Sequence, residues 1–95
     1  FEGFLPVKKG RKKRLEELKE EWRTIIIYES PHRIVKTLND IVMFFGNDRM
    51  MSISREMTKI YEETYRGSIK NALNHFKREL PKGEFVLCIS GKSSK

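Results

Sequence analysis

Between Thr24 and Phe45 the apolar pattern changes from a solid run to a helical period. Thr24-Ile25-Ile26-Ile27-Tyr28 is an unbroken β-branched and aromatic stretch, the composition of a strand buried on both faces. Ile34, Val35, Leu38, Ile41, Val42 and Phe45 then recur at i, i+1, i+4, i+7, i+8 and i+11, one apolar face of a helix. Ser30 offers an N-cap, Pro31 suits the first helical position, and Gly46 closes the far end. The pattern therefore predicts a buried strand running straight into a capped amphipathic helix. Glu29, Ser30, His32 and Arg33 crowd the junction, which is where open α/β sheets usually bind ligands.

The same reading places the remaining elements. Phe1 to Val7 is apolar but broken by Gly3 and Pro6, as in the tail of a strand or an interdomain crossing. A helix is expected to begin near Arg11, with Leu15, Leu18 and Trp22 as a thin stripe among glutamates. Met50 to Met57 and Tyr61 to Arg66 alternate, and the charges of the latter suit an edge strand. Gly67-Ser68 opens a last helix with Ile69, Ala72, Leu73, Phe76 and Leu80 on one face, stopped at Pro81-Lys82-Gly83. Phe85-Val86-Leu87-Cys88-Ile89 reads as a central strand, and Ser90 to Lys95 as a frayed tail. Helix-linked strands favour parallel pairing, while the short Lys59-Ile60 link favours a hairpin. The expected fold class is α/β, a mixed four- to five-stranded sheet with three helices, forming one domain over 1–91 with a tail at 92–95.

Ninety-five residues bury about 60–65% of their unfolded surface, a core of modest size. The chain starts Phe-Glu-Gly, and the expectation is a fragment whose partner domain lies upstream. Cys88 is the single cysteine and sits in an apolar run, so it is expected as a small buried hydrophobe in a reducing, cytoplasmic compartment. No apolar run approaches the roughly 18 residues of a membrane span, and no membrane partner is expected.

Charge alters the picture at one place. Lys8, Lys9, Arg11, Lys12, Lys13 and Arg14 carry six of the net +7 charges, leaving the rest of the chain at +1. Such a run suits a phosphate-contacting arm, or else a solvated helix start with no partner. These cations stand at the helix end that the peptide dipoles make positive, which is mildly unfavourable without an anion nearby.

No catalytic constellation is visible. His32 and His75 are far apart and lack metal-ligand spacing, and neither a phosphate-binding loop nor a dinucleotide fingerprint occurs. Two charged clusters at strand ends remain. His32 and Arg33 in a first helical turn are suited to an anion, either a ligand or Glu29. Arg55, Glu56 and Lys59 form the second, open to a ligand or to an internal ion pair.

Phe1-Glu-Gly-Phe-Leu-Pro6, Lys8-Lys-Gly-Arg11, Thr24-Ile-Ile-Ile-Tyr-Glu-Ser-Pro-His-Arg33, Arg55-Glu-Met-Thr-Lys59, Arg66-Gly67 and Lys82-Gly-Glu-Phe-Val-Leu87 resemble one family in order and spacing. It is ribosomal RNA small subunit methyltransferase I, the cytidine 2′-O-methyltransferase family of the tetrapyrrole methylase superfamily, and the likeness is to its C-terminal half. The resemblance implies methyl transfer from S-adenosyl-L-methionine in a cleft between two α/β domains, of which this chain supplies the smaller. It also implies small-subunit ribosomal RNA as substrate and a homodimer. Tyr28, Glu29, Gly83 and Glu84 are then expected near the cofactor. His32, Arg33, Arg55, Lys59 and the basic run Lys8, Lys9, Arg11, Lys12, Lys13 and Arg14 are expected near RNA. Cys88 and Ser90 depart from the family pattern. Two alternatives stay open: a lobe acting on a tetrapyrrole, whose carboxylates would also meet Arg33, Arg55 and Lys59, and a non-enzymatic RNA-binding module.

Overall fold

The computed structural model describes residues 2–58, 61–78 and 84–92, without the side chains of 55–58, 61–63 and 77–78. In chain order these form β1 (Gly3–Phe4), α1 (Arg11–Lys19), β2 (Ile25–Glu29), α2 (Ile34–Phe45), β3 (Met50–Thr58), β4 (Tyr61–Ser68), α3 (Ile69–Arg78) and β5 (Glu84–Ile89). The class is α/β: one five-stranded mixed sheet, ordered β1-β2-β5-β3-β4, and three helices.

One face of the sheet makes the core. Ile25 and Ile27 on β2, Met51 and Ile53 on β3, and Phe85, Leu87 and Ile89 on β5 alternate inward and are buried. They join Leu15 and Leu18 of α1, Ile34, Leu38 and Ile41 of α2, and Ile69, Ala72, Leu73 and Phe76 of α3 in a single cluster. The expected faces of α2 and α3 are the ones turned to this core, with Val35, Val42 and Phe45 partly buried; Leu80, expected on the α3 face, lies outside the described residues. Ser68 caps α3, its hydroxyl accepting the Asn71 N–H at 3.2 Å.

Among the described residues the opposite face carries no helix. Ile26 and Tyr28 of β2, Val86 and Cys88 of β5, and Ser52 and Ser54 of β3 stand in register on it and remain partly accessible. The expectation that the Thr24–Tyr28 run is covered on both faces is therefore corrected. A β-branched run shows that a segment suits a sheet, not how many layers cover it. Cys88 is half-buried on this face rather than in the core.

Pairing also differs from expectation. β3 and β4 form the expected antiparallel hairpin, with β4 at an edge. Among the described strands only β1 and β2 pair in parallel; β5 runs antiparallel to both β2 and β3 and lies between them. β1-α1-β2 joins parallel neighbours, whereas the other two helix crossovers interleave: β2-α2-β3 leaves a gap filled by β5, and β4-α3-β5 steps over β3. Helix-linked strands share a direction in all three, but β2 and β3, like β4 and β5, are not neighbours.

Three local boundaries move. α2 starts at Ile34, because Pro31, His32 and Arg33 form a turn in which Arg33 N–H donates to the Ser30 carbonyl at 3.1 Å. α1 stops at Lys19, so Trp22 lies beyond it, largely exposed, with the Arg23 guanidinium 5.6 Å above its ring. Of the tail expected to fray, Ser90 to Lys92 are docked, with Ser90 N–H donating to Met50 O at 3.0 Å and Lys92 N–H to Glu21 O at 2.7 Å, while 93–95 lie outside the described residues.

Candidate functional site

Register brings four of the sequence-predicted residues, Tyr28, Glu29, Arg55 and Glu84, to one end of the sheet. At the C-terminal end of β2, Glu29 faces Phe85 at the start of β5, and Phe85 faces Arg55 on β3. Glu84 faces Glu56 in the next row. Tyr28, Glu29, Arg55 and Glu84 therefore share one rim, and the Ser30–Arg33 turn rises from it. Lys59 and Gly83 lie outside the described residues, as does the side chain of Arg55. His32 and Glu84 are exposed. Tyr28 meets Phe4 edge-on, ring centroids 5.6 Å apart.

The turn presents an electropositive group. α2 has neither a capping side chain nor an acidic residue in its first turn, so its leading N–H groups keep their positive field. Arg33 stands at its N-cap, and its Nη2 is enclosed with no hydrogen-bond partner among the described residues. Glu29 is not that partner. One Glu29 oxygen accepts the Ser30 N–H at 2.8 Å, and the other accepts the Thr37 hydroxyl at 2.5 Å.

The basic run divides into two kinds of residue. Gly10 has a φ of 82°, in the left-handed region that glycine adopts without strain, and turns the chain into α1. Arg11 then points inward. Its Nε donates to Asp40 at 2.9 Å, its Nη1 to the Pro6 carbonyl at 3.0 Å, and its Nη2 to the Thr37 hydroxyl at 2.9 Å. Arg11 is only 7% exposed, so among the cations expected to face phosphate its guanidinium is the one turned inward. Arg14 forks onto Glu2, at 2.7 and 2.5 Å, and reaches Glu17 at 3.3 Å. The Glu2 hydrogen bonds, above all, raise its pKa beyond the ordinary guanidinium value. Arg14 is thus engaged within the chain as well. Lys8, Lys9, Lys12 and Lys13 remain exposed.

Glu29, expected near the cofactor, turns its side chain into the fold. Its carboxylate is 3% exposed and both oxygens are occupied inside the fold. Sequence reading passed over Thr37, although a threonine at a buried position of an otherwise apolar helical face marks an internal polar bond.

It also passed over Arg49, at the far end of the sheet. The Arg49 guanidinium lies 4.8 Å over the Phe45 ring and donates to the Lys19 carbonyl at 3.1 Å. Burial lowers its pKa. An open hollow of about 490 Å³ lies there, lined by Phe45, Arg49, Met50, Ser90 and Lys92 among others. Among the described residues no group of three or more His, Cys, Asp or Glu could hold a metal. No helix among them is long and apolar enough to cross a membrane.

No protein-family model matches the chain. Known proteins do match over nearly its whole length. Ribosomal RNA small subunit methyltransferase I of Thermotoga maritima is 47% identical over 92 residues, which cover 97% of this chain and 41% of that protein. The Synechocystis protein of the same name is 46% identical, covering 96% of this chain and 33% of its own length. That of Haemophilus influenzae is 49% identical, covering 97% and 34%. The chain spans between a third and about two fifths of the length of these relatives. With such identity along an α/β domain, the chain belongs to the ribosomal RNA small subunit methyltransferase I family.

Proposed function

We propose that the chain is the C-terminal lobe of an S-adenosyl-L-methionine-dependent methyltransferase that methylates the 2′-hydroxyl of a cytidine in small-subunit ribosomal RNA. The proposal extends to a cytoplasmic homodimer whose other lobe supplies the rest of the cofactor site. The observation that carries it is the match, 46–49% identical over nearly the whole chain, to proteins named for methylating this RNA. None of the relatives reported above is named for a tetrapyrrole.

Bound S-adenosyl-L-methionine supplies an electrophilic methyl group on a sulfonium. The residues at the sheet end partly fit such a group: the Tyr28 ring offers an aromatic surface and Glu84 an exposed carboxylate, while Glu29 is closed off. This lobe's part is to place the ribose hydroxyl in line, a geometric task that itself supplies much of the rate. Arg33 and His32, beside the uncapped start of α2, are suited to a backbone phosphate flanking the target. Lys8, Lys9, Lys12 and Lys13 extend that surface, and Arg55 and Lys59 are proposed to border it.

The test is methyl transfer by the full-length protein to isolated small ribosomal subunits and to a porphyrin precursor. Label on a cytidine 2′-oxygen is expected with the first and none with the second; the reverse would overturn the reading. Arg33→Lys keeps the cation but not the planar fork, and is expected to lower kcat/KM about tenfold with an unchanged melting temperature. Unaltered kinetics would remove Arg33 from the substrate surface. Lys12→Gln with Lys13→Gln should reduce the salt dependence of RNA binding by roughly 0.7–0.9 in log–log slope per lost phosphate contact. A constant slope would leave these lysines as a solvated face.

A further inference from the structure

The polar groups buried beneath the substrate turn form a single chain with a fixed direction. An arginine guanidinium only donates and a carboxylate only accepts. The Thr37 hydroxyl between them must therefore accept from Arg11 Nη2 at 2.9 Å and donate its one proton to Glu29 Oε2 at 2.5 Å. The other Glu29 oxygen holds the N–H of Ser30, the first amide beyond β2. The Arg11 guanidinium is also pinned to Asp40 on α2 and to the Pro6 carbonyl in the segment before α1. Arg11 itself lies between Lys9 and Lys12 in the sequence.

The geometry points to Arg11 and Thr37 as positioning residues: through Glu29 they fix the Ser30–Arg33 turn and hold it in register with the lysine-bearing start of α1, so that both surfaces meet one RNA. Neither residue touches substrate. The inference rests on the reading of His32 and Arg33 as RNA contacts. It adds that the arginine within the basic run acts from beneath the surface rather than on it. A packing role for Thr37 would need only its shape, which valine reproduces. A positioning role needs the hydroxyl, which serine keeps.

The experiment uses the full-length protein carrying Thr37→Val or Thr37→Ser. It reads hydrogen exchange of the peptide spanning 29–36, the affinity for S-adenosyl-L-methionine, and kcat and KM for small ribosomal subunits. Thr37→Val is expected to speed exchange at Ser30–Arg33 and to raise KM about tenfold, with kcat and cofactor affinity changed less than twofold. Thr37→Ser is expected to behave as the parent. Should Thr37→Val fail to fold, Arg11→Lys, which keeps the cation but not three simultaneous bonds, is expected to give the same pattern. Unchanged exchange at the turn in a folded Thr37→Val or Arg11→Lys protein overturns the positioning role. A loosened turn with unchanged KM instead overturns the RNA reading on which it rests.

Discussion

Replacing Arg11 by methionine is expected to destabilise the fold by about 3–5 kcal/mol, the range for removing one partner of a buried ionic cluster. The side chains have similar length, so the loss is chiefly electrostatic rather than a cavity. Glu29 sits 3% exposed, and the cation reaching it through the Thr37 hydroxyl would be gone. Asp40 is less affected, because its side chain is 23% exposed and water can replace the guanidinium. Adding Glu29→Gln removes the stranded charge. The new amide can accept from Ser30 N–H and donate to the Thr37 oxygen that Arg11 has vacated. The double variant should therefore recover part of the loss, with a coupling of about 1–3 kcal/mol in urea unfolding. Strict additivity of the two single changes would show that Arg11 does not compensate Glu29.

The inward place of Arg11 shows what the sequence carries locally. Its partners, Thr37 and Asp40, are 26 and 29 residues away, and among six neighbouring cations nothing in composition distinguishes it. The distinguishing signal is positional. Arg11, Leu15 and Leu18 are the buried residues of α1, at i, i+4 and i+7. The stripe through Leu15 and Leu18 extends one turn backwards to Arg11, not forwards to Trp22, which lies past the helix end. A guanidinium on an apolar stripe is the mark of an internal anion. Thr37 on the α2 face carries the same mark.

The other outcomes divide along the same line between local and non-local information. The buried faces of α2 and α3 follow from 3.6-residue periodicity, and the β3–β4 hairpin from a link too short for a crossover. Placement of β5 between β2 and β3 depends on three helices covering one face of the sheet. No single segment contains that information. The sheet-end rim was legible for a related reason. A strand that ends in Tyr28-Glu29 and turns at Ser30-Pro31 has to deliver its next residues to the rim, whichever strand lies beside it.

Alanine at Gly91 is expected to cost about 3 kcal/mol, combining overpacking with the loss of adjoining hydrogen bonds. A Cβ there would overlap the Trp22 carbonyl and stand 2.8 Å from the Arg23 oxygen. Both are backbone atoms, so no rotamer change relieves the overlap. Ser90 and Lys92 are held on either side, by Met50 O and by Glu21 O. Gly91 therefore cannot withdraw without breaking one of those bonds, and the segment joining α1 to β2 is fixed by the start of β2. The least costly escape is for Lys92 to lift away, giving up its N–H bond to Glu21 at 2.7 Å and its ammonium contact with Glu20 at 2.6 Å. The ammonium contact contributes little, since both groups are exposed and solvent screens the pair. Lys92→Ala, which removes only that contact, is the matched control and should unfold at the same urea concentration as the parent. Urea unfolding of the three proteins, with amide exchange at Lys92, separates the possibilities. A Gly91→Ala protein as stable as the control, with its Lys92 amide still protected, would show that the two backbones do not meet at this point.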